Sequence, residues 1–423
     1  MRRRRLVAAA AAGGVALILL AAAGVYAGLE LRSPDDVVGS STQEFTFVPP
    51  PPSPPPPSKP GIAWPTWGYD GVRVRVSPYP HRPPFRRLWS FRGRKLLEFP
   101  PAIAYGNLYV TSNPGITYAV DVRTGKVVWK HDNRRCTASS PAVADGVVYQ
   151  SFLNRPPCNS KASPEEIDGE VVAFDAETGK VRWRARLGPT ESSPLVAGGL
   201  VVVGDWRGDV TALDRRTGKV RWRYRTDGRV KGAVAASGNR LFVGAYDGRL
   251  YSLDRRSGRL YWRSESQESL RGRGTFYSTP AVAYGRVYLG STDGKVYSYG
   301  ATSGDLIWAQ GTGGYVYSSP AVWQGRVYAG SYSGKVFAFD AATGEVAWEF
   351  EAGGAVSGAP MVMAGIVYAA TLEGTTVALD ARTGRRVWTF PDGKFAPPVA
   401  DRERVYVVGH TRIYGLRSRA AGR

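Results

Sequence analysis

The residue types that most often carry catalysis or metal binding are few and scattered in this sequence of 423 residues. Its three histidines are His81, His131 and His410, and such distant positions do not form the short spacing of a metal site. The motifs G-x-S-x-G, H-E-x-x-H and G-x-x-x-x-G-K-[ST] are all missing, so acyl transfer, metallohydrolysis and P-loop chemistry have no support. We therefore predict no catalytic residue, no metal site and no bound cofactor.

A different set of residues recurs with a fixed spacing. The pattern D-x-x-[TS]-G-x-x-x-W occurs at intervals of about forty residues, and in one copy Gly300 takes the place of the aspartate. Aspartate in such a turn accepts backbone N–H groups, and glycine supplies a positive φ. The tryptophans that end the copies are Trp129, Trp183, Trp222, Trp262, Trp308, Trp348 and Trp388.

The repeat predicts a fold as well as a turn. Short apolar runs between glycine-containing turns indicate three strands before each D-x-x-[TS]-G turn and one after it, so that the tryptophan lies on the fourth strand. One four-stranded sheet cannot bury that ring, and sheets that dock on their neighbours close radially. We predict an all-β, eight-bladed β-propeller over residues 85–418, followed by a tail over 419–423. The strand around Trp89 should complete the last blade, which lacks its own fourth strand, and so remove the open edges.

The two cysteines fall at one end of the same predicted blade. Cys136 precedes its first strand, and Cys158 lies in the insertion from Leu153 to Asp168 after its second strand. In an oxidising compartment a disulfide is favoured over two free thiols.

The N-terminal region indicates export. Residues 1–5 are basic, and the apolar run over 6–29 has the length of a membrane-spanning helix. We predict an uncleaved signal-anchor helix; a cleaved signal peptide is the alternative, because Val25-Tyr26-Ala27 resembles a cleavage site. Residues 30–84 form a polar and proline-rich linker. The predicted location is the cell membrane, with the propeller outside the cytoplasm.

One face of the predicted propeller collects aromatic and basic residues. Loops that join the second to the third strand share this face with loops that lead from the fourth strand to the next blade. Such a mixture suits contact with a peptide or glycan, although the rings could merely pack the blade tops. The candidate residues are Trp206, Arg207, Lys231, Tyr246, Tyr277, Tyr315, Tyr317 and Tyr332.

The net charge is +21, and basic residues outnumber acidic ones by 20 to 9 over residues 182–273. Such a surface attracts polyanions such as anionic lipid or wall polymer. An Arg-rich solvated surface with no charged ligand is the alternative. Nucleic acid is not an expected partner of an exported domain.

The repeat, with the preceding S-S-P-A-V and V-Y-x-G-S-x-D-G patterns, resembles the tryptophan-docking repeat of the PQQ-like (pyrroloquinoline-quinone-type) propellers. The resemblance covers about residues 85–418 and implies eight blades. The quinoprotein dehydrogenases of that family carry a vicinal disulfide, calcium ligands and an aspartate base, and no counterpart is recognisable here. The sequence is closest in character to the non-catalytic, BamB-like members.

We therefore predict a non-enzymatic, membrane-anchored propeller that serves as a protein-binding or assembly scaffold at the cell envelope. The alternatives are a PQQ-dependent dehydrogenase-like enzyme and a structural protein that binds envelope or wall polymer. The partner is expected to be an envelope protein or a polyanionic wall or lipid component.

Overall fold

The computed structural model describes residues 34–47, 61–158, 162–269 and 272–419. The predicted anchor over 6–29 lies outside these residues. Within the described part of the chain, no helix is long and apolar enough to cross a membrane.

The protein is an all-β propeller of eight four-stranded antiparallel blades, as the repeat predicts. Strands β1 (Ile62–Trp64) and β2 (Phe85–Arg92) precede the first complete blade. Blades 1 to 4 consist of β3 (Ala102–Ala104), β4 (Asn107–Ser112), β5 (Ile116–Asp121) and β6 (Val127–Asp132); β7 (Ala142–Ala144), β8 (Val147–Phe152), β9 (Gly169–Asp175) and β10 (Val181–Leu187); β11 (Leu195–Ala197), β12 (Leu200–Gly204), β13 (Asp209–Asp214) and β14 (Val220–Arg225); β15 (Ala235–Ser237), β16 (Arg240–Gly244), β17 (Arg249–Asp254) and β18 (Leu260–Glu265).

A short hairpin of β19 (Glu268–Ser269) and β20 (Gly272–Arg273) leads to the second half. Blades 5 to 8 consist of β21 (Ala281–Ala283), β22 (Arg286–Gly290), β23 (Lys295–Gly300) and β24 (Leu306–Gly311); β25 (Ala321–Trp323), β26 (Arg326–Gly330), β27 (Lys335–Asp340) and β28 (Val346–Glu351); β29 (Met361–Met363), β30 (Ile366–Ala370), β31 (Thr376–Asp380) and β32 (Arg386–Phe390); β33 (Val399–Ala400), β34 (Val405–Val408) and β35 (Arg412–Ser418), completed by β2. Strands β2 and β35 pair with Trp89 opposite Gly415, which closes the ring as the sequence predicts.

The repeated motif connects each blade to its neighbour. In the turns that contain the aspartate, its carboxylate accepts backbone N–H groups, as Asp121 does from Arg123 at 3.0 Å and Thr124 at 2.8 Å. The glycine of the turn lies under the tryptophan of the preceding blade, so a Cβ on Gly179 would stand 2.6 Å from the Trp129 ring. The Trp129 indole N–H then donates to the Ala176 carbonyl at 3.0 Å. Side chains of neighbouring blades share each core cluster, because the middle strands are buried on both faces.

Part of the predicted linker packs on the propeller. Residues 34–47, here called the strap, run down the outside of blades 5 and 6, where Val37 pairs with Ala309 at the edge of β24. The Glu44 carboxylate accepts the backbone N–H groups of Thr302 at 2.9 Å and Ser303 at 3.0 Å. In the other turns the aspartate accepts the equivalent pair. The strap thus supplies the carboxylate that the Gly300 turn lacks.

A second part of the linker fills the central channel. Residues 61–84, here called the channel segment, contact every blade in turn, beginning with the pairing of β1 and β3. Backbone bonds join its carbonyl oxygens to the innermost strands of later blades, as Gly71 does with Ala236 at 2.7 Å and Val74 with Val322 at 3.0 Å. Arg73 is 0% exposed there, and its guanidinium donates to the Val234 carbonyl at 3.1 Å. Residues assigned to a linker by composition therefore belong to the folded unit.

Candidate functional site

The innermost loops place one residue of each blade around the channel mouth. In every blade this residue lies four positions before the first residue of the innermost strand, as Tyr317 does before Ala321 of β25. Their common position follows from the eightfold repeat. We call them the axial ring: Glu98, Ala138, Glu191, Lys231, Tyr277, Tyr317, Ser357 and Phe395.

The ring surrounds a small cavity of about 60 Å³ on the loop face, the face opposite the D-x-x-[TS]-G turns. Trp67 of the channel segment lines the cavity together with Phe99. The two rings meet edge to face with centroids 5.7 Å apart. The channel segment therefore closes the channel below the axial ring.

Glu191 organises one side of the mouth. Its carboxylate accepts the Trp206 indole N–H at 2.9 Å and the Tyr277 hydroxyl at 2.7 Å. The Lys231 ammonium lies 3.4 Å from the same carboxylate and 4.7 Å from the centroid of the Trp206 ring. It also lies over the rings of Tyr246 and Tyr277, at 5.2 and 5.7 Å. This is a complete binding arrangement for an ammonium group, a carboxylate with three aromatic rings, filled by the protein's own lysine.

Burial and the Glu191 charge raise the pKa of Tyr277 well above its ordinary value, and burial raises that of Tyr246. Both phenols are therefore neutral, and that of Tyr277 donates a hydrogen bond.

A row of tyrosines extends from the mouth to the rim. Ring centroids are 5.1 Å apart between Tyr277 and Tyr317 and 5.0 Å apart between Tyr317 and Tyr332. Tyr315 ends the row and is 56% exposed. Beside it a larger groove of about 840 Å³ separates Tyr315 and Tyr332 from the start of the strap. Tyr315 and Tyr332 are the exposed members of the row, and such rings supply rigid contact area at low entropic cost.

The structure brings together seven of the eight residues predicted for this face. Arg207 is the exception, because its guanidinium turns to the insertion and donates to the carbonyls of Pro164 and Ile167, both at 2.9 Å. Cys136 and Cys158 are joined by a disulfide that holds the same insertion. Arg207 therefore fixes a loop instead of completing the aromatic row.

Glu98, Glu191, Phe99 and Trp67 also belong to this site but were not predicted from the sequence. A signal for the first two was available, since both stand at the position that Tyr277 and Tyr317 occupy in their repeats. Trp67 lies outside the repeats, so no spacing connected it with the channel.

Tryptophan-docked four-stranded blades closed into a ring of eight define the class of this protein as a quinoprotein-like propeller. The family model described as "Outer membrane protein assembly factor BamB" matches residues 167–313 and 293–421, more than half of the chain. The model "Glucose/ethanol/alcohol dehydrogenase, beta-propeller domain" matches residues 86–184. The chain therefore belongs to the PQQ-like β-propeller family, as the repeat suggested.

The relatives include both dehydrogenases and an assembly factor. A "1-butanol dehydrogenase (cytochrome c)" of Thauera butanivorans is 30% identical over 130 residues, 29% of this chain and 18% of that protein. The "Outer membrane protein assembly factor BamB" of Bordetella pertussis is 34% identical over 114 residues, 26% of each chain. The matches thus span about a quarter or less of the length of these curated relatives. The crystal structure of BamB from Moraxella catarrhalis has a TM-score of 0.65 at 20% identity, covering 81% of this chain and all of that one, which shows the shared fold.

The residues at the channel mouth do not fit the quinone cofactor of the dehydrogenase relatives. The cavity of about 60 Å³ is far below the roughly 300–1,000 Å³ of pockets for molecules of that size. In the described part of the chain, no group of three or more His, Cys, Asp and Glu side chains is arranged to hold a metal ion. The Cys136–Cys158 disulfide is not vicinal, since 22 residues separate its cysteines in sequence.

Proposed function

We propose that this protein is a non-enzymatic scaffold that binds an envelope protein through the loop face of blades 3 to 6. The observation that carries the proposal is the tyrosine row, which runs from the closed channel mouth to the exposed Tyr315. Aromatic residues are enriched in protein interfaces, and a row of this kind offers contact area without a reaction centre. Because the cavity at the channel mouth is too small for the quinone, a binding role is better supported than a catalytic one.

The proposal includes location at the cell membrane with the propeller outside the cytoplasm. Support comes from the apolar run over 6–29 and from the disulfide, which is typical of oxidising compartments. The strap adds a geometric argument. Pro34 lines the same groove as Tyr315 and Tyr332, so an anchor that precedes it would hold the loop face near the membrane surface. The proposed partner of this face is therefore a protein that is itself bound to the membrane.

The experiment is site-specific photocrosslinking in intact cells. A photoreactive residue at Tyr315 should capture a defined partner protein. The matched control is Val346, which is 47% exposed on the outer strand of blade 6, away from the loop face. Identical crosslinked species from both positions would contradict the proposal.

The dehydrogenase alternative has the support of the relatives and needs its own test. Purified protein supplied with pyrroloquinoline quinone and calcium should neither retain the quinone, measured by absorbance, nor reduce a dye when given alcohols. Stoichiometric uptake with turnover would replace the scaffold proposal with an enzyme.

A further inference from the structure

The axial ring holds two carboxylates in different surroundings. Glu191 has Lys231 as its neighbour in the ring and binds it, together with Trp206 and Tyr277. Glu98 has Phe395 and Ala138 as its ring neighbours, and neither side chain can donate to a carboxylate. Among the described residues, no side chain or backbone N–H group makes a hydrogen bond or ion pair with Glu98.

The surroundings of Glu98 are otherwise those of a cation site. Glu98 lines the cavity at the mouth, where Trp67, Phe99, Tyr317 and Phe395 form aromatic walls. An unpaired carboxylate in a partly buried position is unfavourable, because burial removes water without supplying a partner. A cation would supply both an ionic partner and cation–π contacts.

The same mouth shows which cation fits. Lys231 places an ammonium against Glu191 with three rings around it. The cavity beside Glu98 has about 60 Å³, which suits a compact ammonium on a slender alkyl chain better than a broad planar group.

We propose that the channel mouth binds the ammonium group of a lysine side chain presented by the partner protein, with Glu98 as its counterion. The inference rests on the proposed scaffold function and adds the chemical feature that the propeller recognises. The tyrosine row then supplies contact area, and the mouth supplies selectivity for a positively charged side chain.

The binding should depend on pH. Burial, with a smaller effect of the Glu191 charge, raises the pKa of Glu98 to about 7. The other charged groups at the mouth are Glu191 and Lys231, which pair with each other, and Lys394 at the rim, whose ammonium lies 5.5 Å from the Phe395 ring centroid. Only the carboxylate form attracts an ammonium, so the affinity should increase as pH rises from 6 to 8.

The test uses the full-length protein in detergent and n-butylammonium chloride as the probe. Titration at pH 8, followed by tryptophan fluorescence and calorimetry, should show saturable binding. 1-Butanol, the neutral analogue, should not bind at the same concentrations. Glu98→Gln should weaken amine binding at least tenfold, and Glu177→Gln, at an exposed carboxylate on the opposite face, should leave it unchanged.

Stability gives a second readout. Because the folded protein raises the pKa of Glu98 from 4.5 to about 7, this group destabilises the fold progressively as pH rises through that interval. Glu98→Gln should therefore raise the melting temperature at pH 8 while it removes amine binding. A purely structural role for Glu98 predicts the opposite stability change.

Several outcomes would overturn the inference: equal binding of 1-butanol, full amine binding by Glu98→Gln, or stoichiometric Ca²⁺ binding at the mouth without a response to the amine. Crosslinking separates this inference from the scaffold proposal. If Glu98→Gln keeps partner capture from Tyr315 at the wild-type level, the lysine inference fails and the scaffold stands. Loss of specific capture from Tyr315 in the wild-type protein would defeat the scaffold itself.

Discussion

At the scale of single residues, the glycine of each turn has two requirements that act together. It adopts a positive φ, and it leaves space for the tryptophan of the preceding blade. Either requirement alone would disfavour a side chain. Their coincidence explains why the glycine and the tryptophan recur with one spacing although they contact partners in different blades.

Two alanine substitutions separate these requirements. Gly179→Ala meets both a φ of +71° and the Trp129 ring, whereas Gly198→Ala meets a φ of +64° with no atom within 4 Å. The first should lower the free energy of unfolding by about 1–3 kcal/mol more than the second, because overpacking adds to backbone strain. Denaturant unfolding measures both. Equal losses would mean that the tryptophan contact contributes nothing.

Glu44 gives the second prediction at this scale. Glu44→Ala removes the acceptor of two backbone N–H groups and should cost about 1 kcal/mol of unfolding free energy. Gly300→Asp alone should destabilise, because its Cβ would stand 2.6 Å from the Glu44 carboxylate.

The double variant is the informative one. With the Glu44 carboxylate removed, a Cβ at position 300 still stands 2.6 Å from the Ser303 hydroxyl oxygen. That hydroxyl can rotate to donate to the introduced aspartate, as Ser257 does to Asp254 at 2.8 Å, so Glu44→Ala with Gly300→Asp should recover most of the loss. Gln43→Ala, at the exposed neighbouring position, is the control and should have no effect. If the two substitutions lower the free energy of unfolding additively, the idea that Glu44 replaces the missing aspartate of this turn is wrong.

At the scale of elements, the insertion of blade 2 is held to the propeller by several independent contacts. The disulfide, Arg207 and Arg135 all hold it, and Arg135 lies 2.8 Å from the Asp168 carboxylate. These independent contacts hold the insertion in one position against blade 3.

Replacing both cysteines with serine should lower the stability of the protein by about 3 kcal/mol, the chain-entropy value for a loop of this length. The same double variant should leave crosslinking at Tyr315 intact, because the tyrosine row lies on blades 5 and 6. Thermal unfolding with and without reductant measures the first effect. An unchanged melting temperature in the variant would show that the arginines alone secure the insertion.

Much of this architecture could be predicted because each blade repeats the same local signals. Strand order fixes which loops share a face, and seven of the eight predicted face residues accordingly come together. The channel segment carried no such signal. Val72, Val74 and Val76 alternate with arginines, a pattern typical of a half-exposed strand, yet Arg73 and Arg75 are buried where carbonyl oxygens of the channel receive them. The partners of the channel segment are spread over eight blades, so the local sequence pattern could not predict its burial.

At the scale of the whole molecule, the ring depends on one pairing between distant parts of the chain. Strand β2 joins β35, and the Trp89 indole N–H donates to Val122 of blade 1 at 3.1 Å. Deletion of 85–92 should abolish cooperative thermal unfolding, because it leaves the edge of β35 unpaired and removes the contact of Trp89 with blade 1. Deletion of 34–47 should lower the melting temperature and preserve a single transition. Equal melting temperatures for the two deletions would contradict the closure.

The channel segment also determines the order of events in folding. It leaves the ribosome before any complete blade, yet its hydrogen-bond partners extend from blade 1 to Asp401 of blade 8. Its native contacts can be completed only after the last blade has been synthesised. We expect contacts so distant in sequence to make folding slow. Release of the enclosed segment requires the ring to open, so we also expect slow unfolding and a long lifetime in the folded state, a kinetic protection that equilibrium stability alone would not provide.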